Sequence, residues 1–223
     1  MTNITWLGHA AFKIEIGGST VLIDPWLDDN PTAAMKASEI VKADIVYVTH
    51  DHHDHVGQAF DICKRTGANF VATLELGNLA EENGLKNVVG LNVGGSVQIG
   101  GIRLFVIQAF HSAARGAPTG VVVEAGGKAI YHAGDTALFG DMRLVGELYR
   151  PEVVLIPIGG YYTMGPSEAA EAIRLIKPRT AIPMHYKTFP VLAQTADEFV
   201  RMVREKAPDV KALPLKPGET YQF

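Results

Sequence analysis

Several features on which large classes of protein depend are scarce in this 223-residue sequence. Its single cysteine, Cys63, excludes an internal disulfide framework and is compatible with a reducing cytoplasm. No apolar run approaches the roughly 20 residues that cross a membrane. The first residues also lack the cationic start and apolar core of a signal peptide. We therefore expect a cytoplasmic protein without a membrane partner.

Positive charge is also in short supply. The 20 Lys and Arg residues are outnumbered by 24 Asp and Glu residues, so the net charge is −4 and no general basic field attracts nucleic acid. We expect no nucleic-acid partner. The rest of the composition, with 47% hydrophobic and 20% charged residues, is that of an ordinary globular protein. No linker or low-complexity segment interrupts the chain, and we predict one domain over residues 1–223.

The most informative stretch is the polar run HDHHDH at residues 50–55, in which possible ligands are spaced H-x-H-x-D-H. Apolar, β-branched residues precede it and predict a buried strand. In extended backbone, residues two apart share a side, so His50 and His52 can aim at one point. Asp54 and His55 follow after the chain has turned into a loop, and they can diverge towards a second point.

Imidazole and carboxylate side chains in such a run suit zinc, iron, manganese or nickel. A solvated polar loop is one alternative, but four potential ligands rarely meet at these spacings by accident. A structural zinc site is another, but such sites usually close their shell with cysteines. The only cysteine, Cys63, is expected to be a buried residue on a helix from Gln58 to Thr66. The run therefore favours a metal site that takes part in chemistry.

Four separate apolar runs end in a residue that could bind a metal, namely His50, His111, Asp135 and His185. Open α/β sheets place ligands at strand ends, where loops converge on a pocket, so a common site is physically reasonable. Taken alone, each of the last three could instead be a hydrogen-bonded strand end.

Two further histidines allow two interpretations each. His9 lies between strands predicted at Ile4–Leu7 and Ala11–Ile16, and is either a core histidine or a residue that lines the site. His132 precedes Asp135 and either lines the site or has a supporting or core role.

The remaining pattern alternates hairpins with helices, which indicates an α/β or α+β class. Glycine pairs predict three hairpin turns, at residues 17–18, 100–101 and 126–127. Helices are predicted at Pro166–Ile176 and at Thr195–Lys206, the second with a capping box between Thr195 and Glu198. The end of the chain is predicted to be irregular, with a strand near Leu213.

The run at residues 50–55 resembles the signature of the metallo-β-lactamase superfamily, and the Gly8-His9 pair is typical of its L-ascorbate-6-phosphate lactonase-like branch. Over essentially its whole length the chain resembles the UPF0173-type metal-dependent hydrolases. The resemblance implies an α/β fold, an αβ/βα sandwich of two mixed β-sheets flanked by helices. It also implies a ligand set: His50, His52 and His111 for one metal, Asp54, His55 and His185 for a second, and Asp135 as the bridge.

The implied activity is that of a metal-dependent hydrolase with two divalent ions. Zinc is the expected metal, with manganese, iron or nickel as alternatives. A hydroxide activated by the two ions attacks an ester, lactone or phosphodiester bond. Asp54 can also orient this nucleophile or take a proton, and His9 or His132 can protonate the leaving group. Asp51 is expected to support a ligating histidine by accepting its second N–H.

Two other functions are compatible with the same ligands. One is a phosphodiesterase or nuclease activity, although the chain carries no basic stripe. The other is a non-catalytic, metal-loaded binding protein. We expect a small-molecule substrate and a homo-oligomer. Tyr161, Tyr162 and Lys187 are candidate substrate contacts, and for the two tyrosines the alternative is aromatic packing within their loop.

Overall fold

In the computed structural model, which describes residues 1–223, fourteen strands form two seven-stranded sheets. The strands in chain order are β1 (Asn3–Gly8), β2 (Ala11–Ile16), β3 (Ser19–Ile23), β4 (Ile45–Tyr47), β5 (Asn69–Thr73), β6 (Val88–Leu91), β7 (Ser96–Ile99), β8 (Ile102–Gln108), β9 (Thr119–Ala125), β10 (Lys128–His132), β11 (Val153–Pro157), β12 (Thr180–Met184), β13 (Lys211–Ala212) and β14 (Thr220–Gln222). The N-terminal sheet has the order β14-β1-β2-β3-β4-β5-β6, and the C-terminal sheet has the order β13-β12-β11-β10-β9-β8-β7.

Helices connect and cover the strands. They are α1 (His53–Val56), α2 (Ala59–Thr66), α3 (Leu74–Glu82), α4 (Met142–Tyr149), α5 (Pro166–Ile176) and α6 (Asp197–Lys206), with a 3₁₀ turn at Ala37–Glu39. Helix α5 packs between α4 and α6. No helix in the structure is both long and apolar enough to cross a bilayer.

Both sheets are mixed. In the N-terminal sheet β1, β2 and β3 pair antiparallel, and β3 to β6 continue as parallel neighbours. In the C-terminal sheet β7 to β10 are antiparallel, and β10 to β13 are parallel. The predicted glycine-pair turns join β2 to β3, β7 to β8 and β9 to β10. Two mixed sheets flanked by helices confirm the predicted fold class.

The core has two parts. The larger cluster of 45 buried residues runs from one face of the N-terminal sheet through the C-terminal sheet to α4, α5 and α6. The smaller cluster of 18 fills the opposite face of the N-terminal sheet, against α2 and α3. Alternation along β1 sorts residues between them, since Ile4 and Trp6 join the larger cluster and Leu7 joins the smaller. Cys63 is buried in the smaller cluster, as predicted.

The prediction of a capping box at α6 is wrong. The helix begins at Asp197, two residues later than predicted, and Ala196 is its N-cap. Thr195 therefore lies one residue too early to cap it, and its hydroxyl accepts a 3.4 Å hydrogen bond from the Asp197 amide. Glu198 extends towards Arg201 instead of returning to the helix start.

Helix α4 and strand β14 were not predicted. Helix α4 follows a glycine-rich loop and is only eight residues long, so its apolar periodicity is short. Strand β14 pairs antiparallel with β1, placing Tyr221 opposite Ile4. The strand near Leu213 is present as the two-residue β13. Strands of two or three residues carry too little periodicity to be recognised, and only pairing stabilises them.

Candidate metal centre

The donor residues gather where parallel strands of both sheets end. Strand β4 ends three residues before His50, β10 ends three residues before Asp135, and β12 ends directly before His185. The carboxyl ends of these strands meet at one edge of the sandwich, because their donors lie within contact distance of one another. Strand ends therefore build the site, as the sequence pattern indicates.

The motif at residues 50–55 is more ordered than the predicted loop. Its second half is the helical turn α1, whose N-cap is His52. The backbone carbonyl of His52 accepts a hydrogen bond from the Val56 amide. Asp54 and His55 are successive helical residues and point in different directions, because each residue of a helix turns by about 100°. Gly57 ends the turn with φ +42°, and a Cβ there would lie 2.3 Å from Trp26 Cα.

The seven residues of the implied ligand set come together in space. Three groups have ligand atoms that all lie within 4.8 Å of one another: His50, His52 and His111; His9, Asp54, His55 and His185; and His50, His55 and Asp135. The first group is the set predicted for one metal. The second group contains the set predicted for the other metal and, in addition, His9.

Asp135 lies between the two sets. Its Oδ2 is 3.0 Å from His185 Nε2, 3.3 Å from His55 Nε2 and 3.6 Å from His111 Nε2. One carboxylate oxygen thus faces donors of both sets, which is the geometry required of a bridge. Gly134 brings Asp135 to this place with φ +63°, and a Cβ there would lie 2.2 Å from the Thr119 carbonyl oxygen.

Asp24 is a supporting residue that the sequence analysis missed. Its fully buried carboxylate accepts hydrogen bonds from the Thr49 amide at 2.8 Å and the Thr49 hydroxyl at 2.7 Å. It also lies 2.7 Å from His55 Nδ1, which leaves His55 Nε2 facing Asp135. The signal was present, because Asp24 directly follows the apolar strand β3, the parallel neighbour of β4.

Asp51 does not have the role predicted for it. Its Oδ1 accepts a 2.9 Å hydrogen bond from the Ala114 amide, and it makes no hydrogen bond to a histidine. Asp51 therefore ties the loop that carries His111 to the motif, while Asp24 supports the imidazole of His55. Asp51 lies at a bend in the chain, and from there its side chain reaches the neighbouring loop.

His50 is oriented through the hydroxyl of Thr49. That hydroxyl donates to Asp24, so it is an acceptor for His50 Nδ1, which lies 3.0 Å away. His50 Nε2 is then free to act as a ligand atom, and it lies 2.9 Å from His52 Nδ1.

His9 belongs to the site and not to a separate core position. The ring is fully buried, with Nε2 3.2 Å from Asp54 Oδ2 and Nδ1 2.8 Å from Thr188 Oγ1. Its centroid lies 4.0 Å from that of His185. His9 is thus a buried histidine, as in the first interpretation, but it contacts Asp54 and His185 of the site without lining the cavity.

The suggestion that His132 protonates a leaving group is wrong. The ring is fully buried, its Nε2 lies 2.9 Å from the Ala10 carbonyl, and its Nδ1 accepts from the Gly134 amide at 3.1 Å. Its ring lies nearly perpendicular to that of Phe12, with centroids 5.7 Å apart. With both nitrogens bound to backbone, His132 has a structural role between the sheets.

Burial keeps two of the imidazoles neutral. It lowers the pKa of His50 to about 2, with help from the neighbouring His55, and it lowers the pKa of His9 to about 4, with help from His185. Neutral imidazoles offer the lone pairs that metals bind.

The opposite shifts occur in the centre of the site. Burial alone would lower the pKa of His55, but the carboxylates of Asp135 and Asp24 hold it well above its ordinary value. Burial alone would raise the pKa of Asp135, but His185 and His55 hold it well below. The two carboxylates therefore create a buried point that favours positive charge.

These donors fit divalent transition metals. His55 Nε2 and Asp135 Oδ1 are buried side-chain atoms that make no hydrogen bond within the protein. Buried polar atoms without partners are costly, and metal coordination is one way to satisfy them. Imidazole nitrogens mixed with carboxylate oxygens suit zinc, manganese, iron or nickel.

The site opens into a cavity of about 570 Å³. It is lined by His52, His53, Asp54, His111, Ser112, Asp135, Tyr162, His185, Phe189, Pro190 and Val191. Of the three predicted substrate contacts, Tyr162 lines this cavity, whereas Tyr161 lines an adjacent one. Lys187 does not line this cavity; it lies two residues after His185 with φ +67° and lines a separate cavity beside Trp6.

Comparison with known proteins agrees with this geometry. Residues 3–185 match the beta-lactamase superfamily domain. The chain is 50% identical to a UPF0173 metal-dependent hydrolase of Methanopyrus kandleri, over 99% of each chain, and 47% identical to one of Caldivirga maquilingensis, over 100% of this chain and 99% of the other. Among solved structures, the metallo hydrolase Igni18 from Ignicoccus hospitalis is 39% identical with a TM-score of 0.92, covering 100% of this chain and 99% of its own.

Proposed function

The chain belongs to the beta-lactamase superfamily as a UPF0173-type metal-dependent hydrolase, and from this premise we propose that it uses two divalent ions to hydrolyse an ester, lactone or phosphodiester bond. The proposed ligands are His50, His52 and His111 for one ion, Asp54, His55 and His185 for the other, and Asp135 for both. We propose zinc as the native metal and a small molecule as the substrate, in a cytoplasmic protein. A homo-oligomer remains a prediction.

The position of Asp135 carries this proposal. A single ion would need only one of the donor sets, but Asp135 Oδ2 lies within 3.6 Å of imidazoles from both. A carboxylate placed between two sets of donors is the arrangement expected of a two-ion site.

Bound divalent ions supply two effects, since they lower the pKa of water and polarise the oxygen of the bond that breaks. The protein provides orientation. Asp54 lines the cavity with its side chain 13% exposed, and His9 holds its Oδ2. Burial would raise the pKa of Asp54, but the hydrogen bond from His9 and the charges of the neighbouring His55 and His9 together keep the pKa below its usual value. Asp54 is therefore an ionised acceptor that can orient a water.

His9 acts through Asp54. Its side chain is fully buried and does not line the cavity, so it has no direct access to a leaving group. The contact with Thr188 fixes the ring on its other side. We assign His9 as a positioning residue that keeps Asp54 in place.

Metal removal tests the proposal. The purified protein is analysed for bound metals by inductively coupled plasma mass spectrometry, stripped with chelator, and assayed on p-nitrophenyl esters, lactones and bis-p-nitrophenyl phosphate. We expect two metal equivalents per chain, activity on at least one substrate class, loss of activity on stripping and recovery with zinc. Hydrolysis that survives complete removal of metal would contradict the proposal, and metal binding without any turnover would favour the non-catalytic binding protein.

A further inference from the structure

A second cavity adjoins the metal centre. It measures about 360 Å³ and is lined by Phe110, Ala137, Leu138, Gly160, Tyr161, Tyr162, Thr163, Met164, Gly165 and Glu168. The two cavities share Tyr162, so together they form a trough that leads outward from the donor residues. We call this trough the Tyr162 groove.

Exposed apolar side chains concentrate along the groove. Four of the ten large hydrophobic residues that are exposed in the whole chain belong to it: Phe110 at 57%, Tyr161 at 70%, Tyr162 at 54% and Val191 at 51%. Scattered exposed apolar residues are ordinary, but a cluster beside a reactive centre marks a ligand site. The groove therefore offers apolar contact close to the place where a bond would break.

Cationic side chains are absent from the groove. The lining of both cavities includes no Lys or Arg. Apart from the acidic residues of the donor sets, its one charged residue is Glu168. Elsewhere the chain does assemble cations, since a cavity of about 470 Å³ is lined by Arg143, Arg150, Arg174, Lys177 and Arg179. Sites that recognise a phosphate or carboxylate arm usually provide such groups. The groove suits an uncharged arm.

The walls of the groove are held by packing. Phe189 stacks on Trp26 with ring centroids 6.0 Å apart, and Phe110 packs on Phe139 at 5.1 Å. The Phe110 amide also donates a 3.0 Å hydrogen bond to the Thr136 hydroxyl. A groove formed by anchored aromatic residues is already shaped for a ligand, which lowers the entropic cost of binding.

We propose that the substrate is an uncharged ester or lactone whose non-reacting apolar arm lies in the Tyr162 groove; this rests on the proposed hydrolytic function. Water adds to the acyl carbon, the acyl C–O bond breaks, and a proton passes to the departing oxygen, so an ester gives a carboxylic acid and an alcohol and a lactone gives a single hydroxy acid. The groove holds the arm, while the donor sets face the acyl group.

Chain length of the substrate tests the proposal first. The zinc-loaded protein is assayed with p-nitrophenyl acetate and p-nitrophenyl hexanoate, and with bis-p-nitrophenyl phosphate as the anionic alternative. We expect kcat/KM to rise about tenfold or more from acetate to hexanoate, since each additional buried methylene favours binding. We expect the diester to be the poorest substrate. Equal kcat/KM for the two esters, or preference for the phosphodiester, overturns the proposal.

A pair of matched variants locates the effect. Val191→Asp puts a charge into the groove, and Val41→Asp makes the same change at a position that is 86% exposed and lines neither cavity. We expect Val191→Asp to reduce the hexanoate-to-acetate ratio about fivefold or more, through KM, and Val41→Asp to leave the ratio unchanged. An unchanged ratio in Val191→Asp, or an equal loss in both variants, contradicts the assignment.

Direct binding separates this proposal from the hydrolytic one. The uncleavable ether 4-nitrophenyl hexyl ether is titrated calorimetrically into the same proteins. We expect binding to wild type and Val41→Asp, and binding to Val191→Asp that is weaker by about fivefold or more. If no substrate is turned over but the ether binds in this pattern, the hydrolytic function fails and the groove remains a site for uncharged ligands. Ether binding that is equal in all three proteins rules out the groove.

Discussion

The N-terminal sheet supplies site residues from two short segments, Gly8-His9 and residues 50–55, whereas the C-terminal sheet supplies three single residues from three loops, His111, Asp135 and His185. The first group is held by side-chain hydrogen bonds, with Asp24 as the central acceptor.

Close backbone contacts occur in both groups, but the second lacks comparable side-chain anchors, and His185 Nδ1 has no hydrogen-bond partner. A Cβ at Gly134 would lie 2.2 Å from the Thr119 carbonyl oxygen, and a Cβ at Gly159 would lie 2.4 Å from the His185 carbonyl oxygen. The comparison shows that hydrogen bonds to a buried carboxylate orient the first half of the site, whereas tight backbone packing positions the second half. Removing the charge of Asp24 should therefore disturb the first half, and adding a methyl group at Gly134 should displace a residue of the second.

The largest effect is expected where the two halves meet. Asp135→Asn removes the negative charge that faces both donor sets, so we expect kcat to fall at least about 1000-fold and bound metal to fall below two equivalents. The measurements are ester hydrolysis and metal content. Asp141→Asn, on an exposed side chain that makes no capping hydrogen bond, is the matched control. Full metal content and turnover in Asp135→Asn would show that the halves do not share a ligand.

A smaller effect is expected from the charge that supports the first half. Asp24→Asn leaves His55 Nδ1 without an anionic partner, and we expect metal affinity to fall about 10- to 100-fold. Asp51→Asn keeps an oxygen for the Ala114 amide, so its affinity should stay near wild type. Competition with a chromophoric chelator measures both. Equal affinities would mean that Asp24 does not tune the ligand.

Shape in the second half is tested by adding one methyl group. Gly134→Ala places a Cβ against the Thr119 carbonyl oxygen, and we expect the free energy of unfolding to fall by about 3 kcal/mol, with loss of activity. Gly126→Ala has a similar φ, +57°, but open space around it, so it should cost only about 1 kcal/mol. Urea unfolding compares the two. If both variants lost the same free energy of unfolding, the cause would be the positive φ and not the close contact with Thr119.

Two buried histidines provide the finest comparison. His9→Gln disturbs the residue that holds Asp54, so we expect kcat to fall about tenfold with little loss of stability. His132→Gln disturbs bonds to backbone, so we expect about 1–3 kcal/mol of lost stability with kcat retained in the folded fraction. Steady-state kinetics and urea unfolding measured on both variants distinguish the roles. If His9→Gln lost mainly stability and His132→Gln lost mainly kcat, the roles assigned to the two histidines would be reversed.

Local signals explain what could be predicted. The helix Pro166–Ile176 was predicted with its observed bounds, since a proline at its first position and an apolar stripe are both visible in the residues. The glycine-pair hairpins and the motif at residues 50–55 are equally local. His111, Asp135 and His185 were assigned through the resemblance and not through their own surroundings.

The errors and omissions share a physical cause. Asp51 and His132 are close in sequence to ligands, yet their partners, Ala114 and Ala10, come from other segments. Asp24 was overlooked because its partners Thr49 and His55 lie 25 and 31 residues away. A sequence shows which side chain stands at a position, but it does not show which hydrogen-bond partner that side chain contacts in the folded protein.

The sequence by itself determined the alternation of strands and helices, the hairpin turns and the metal-binding character of residues 50–55, because each depends on neighbours within a few residues. Only the tertiary structure decided that Asp135 lies between both donor sets, that His9 joins the site while His132 does not, and that the groove beside them is apolar. Those features arise where the edges of two sheets meet, and side chains distant in the chain become neighbours only when the sheets pack.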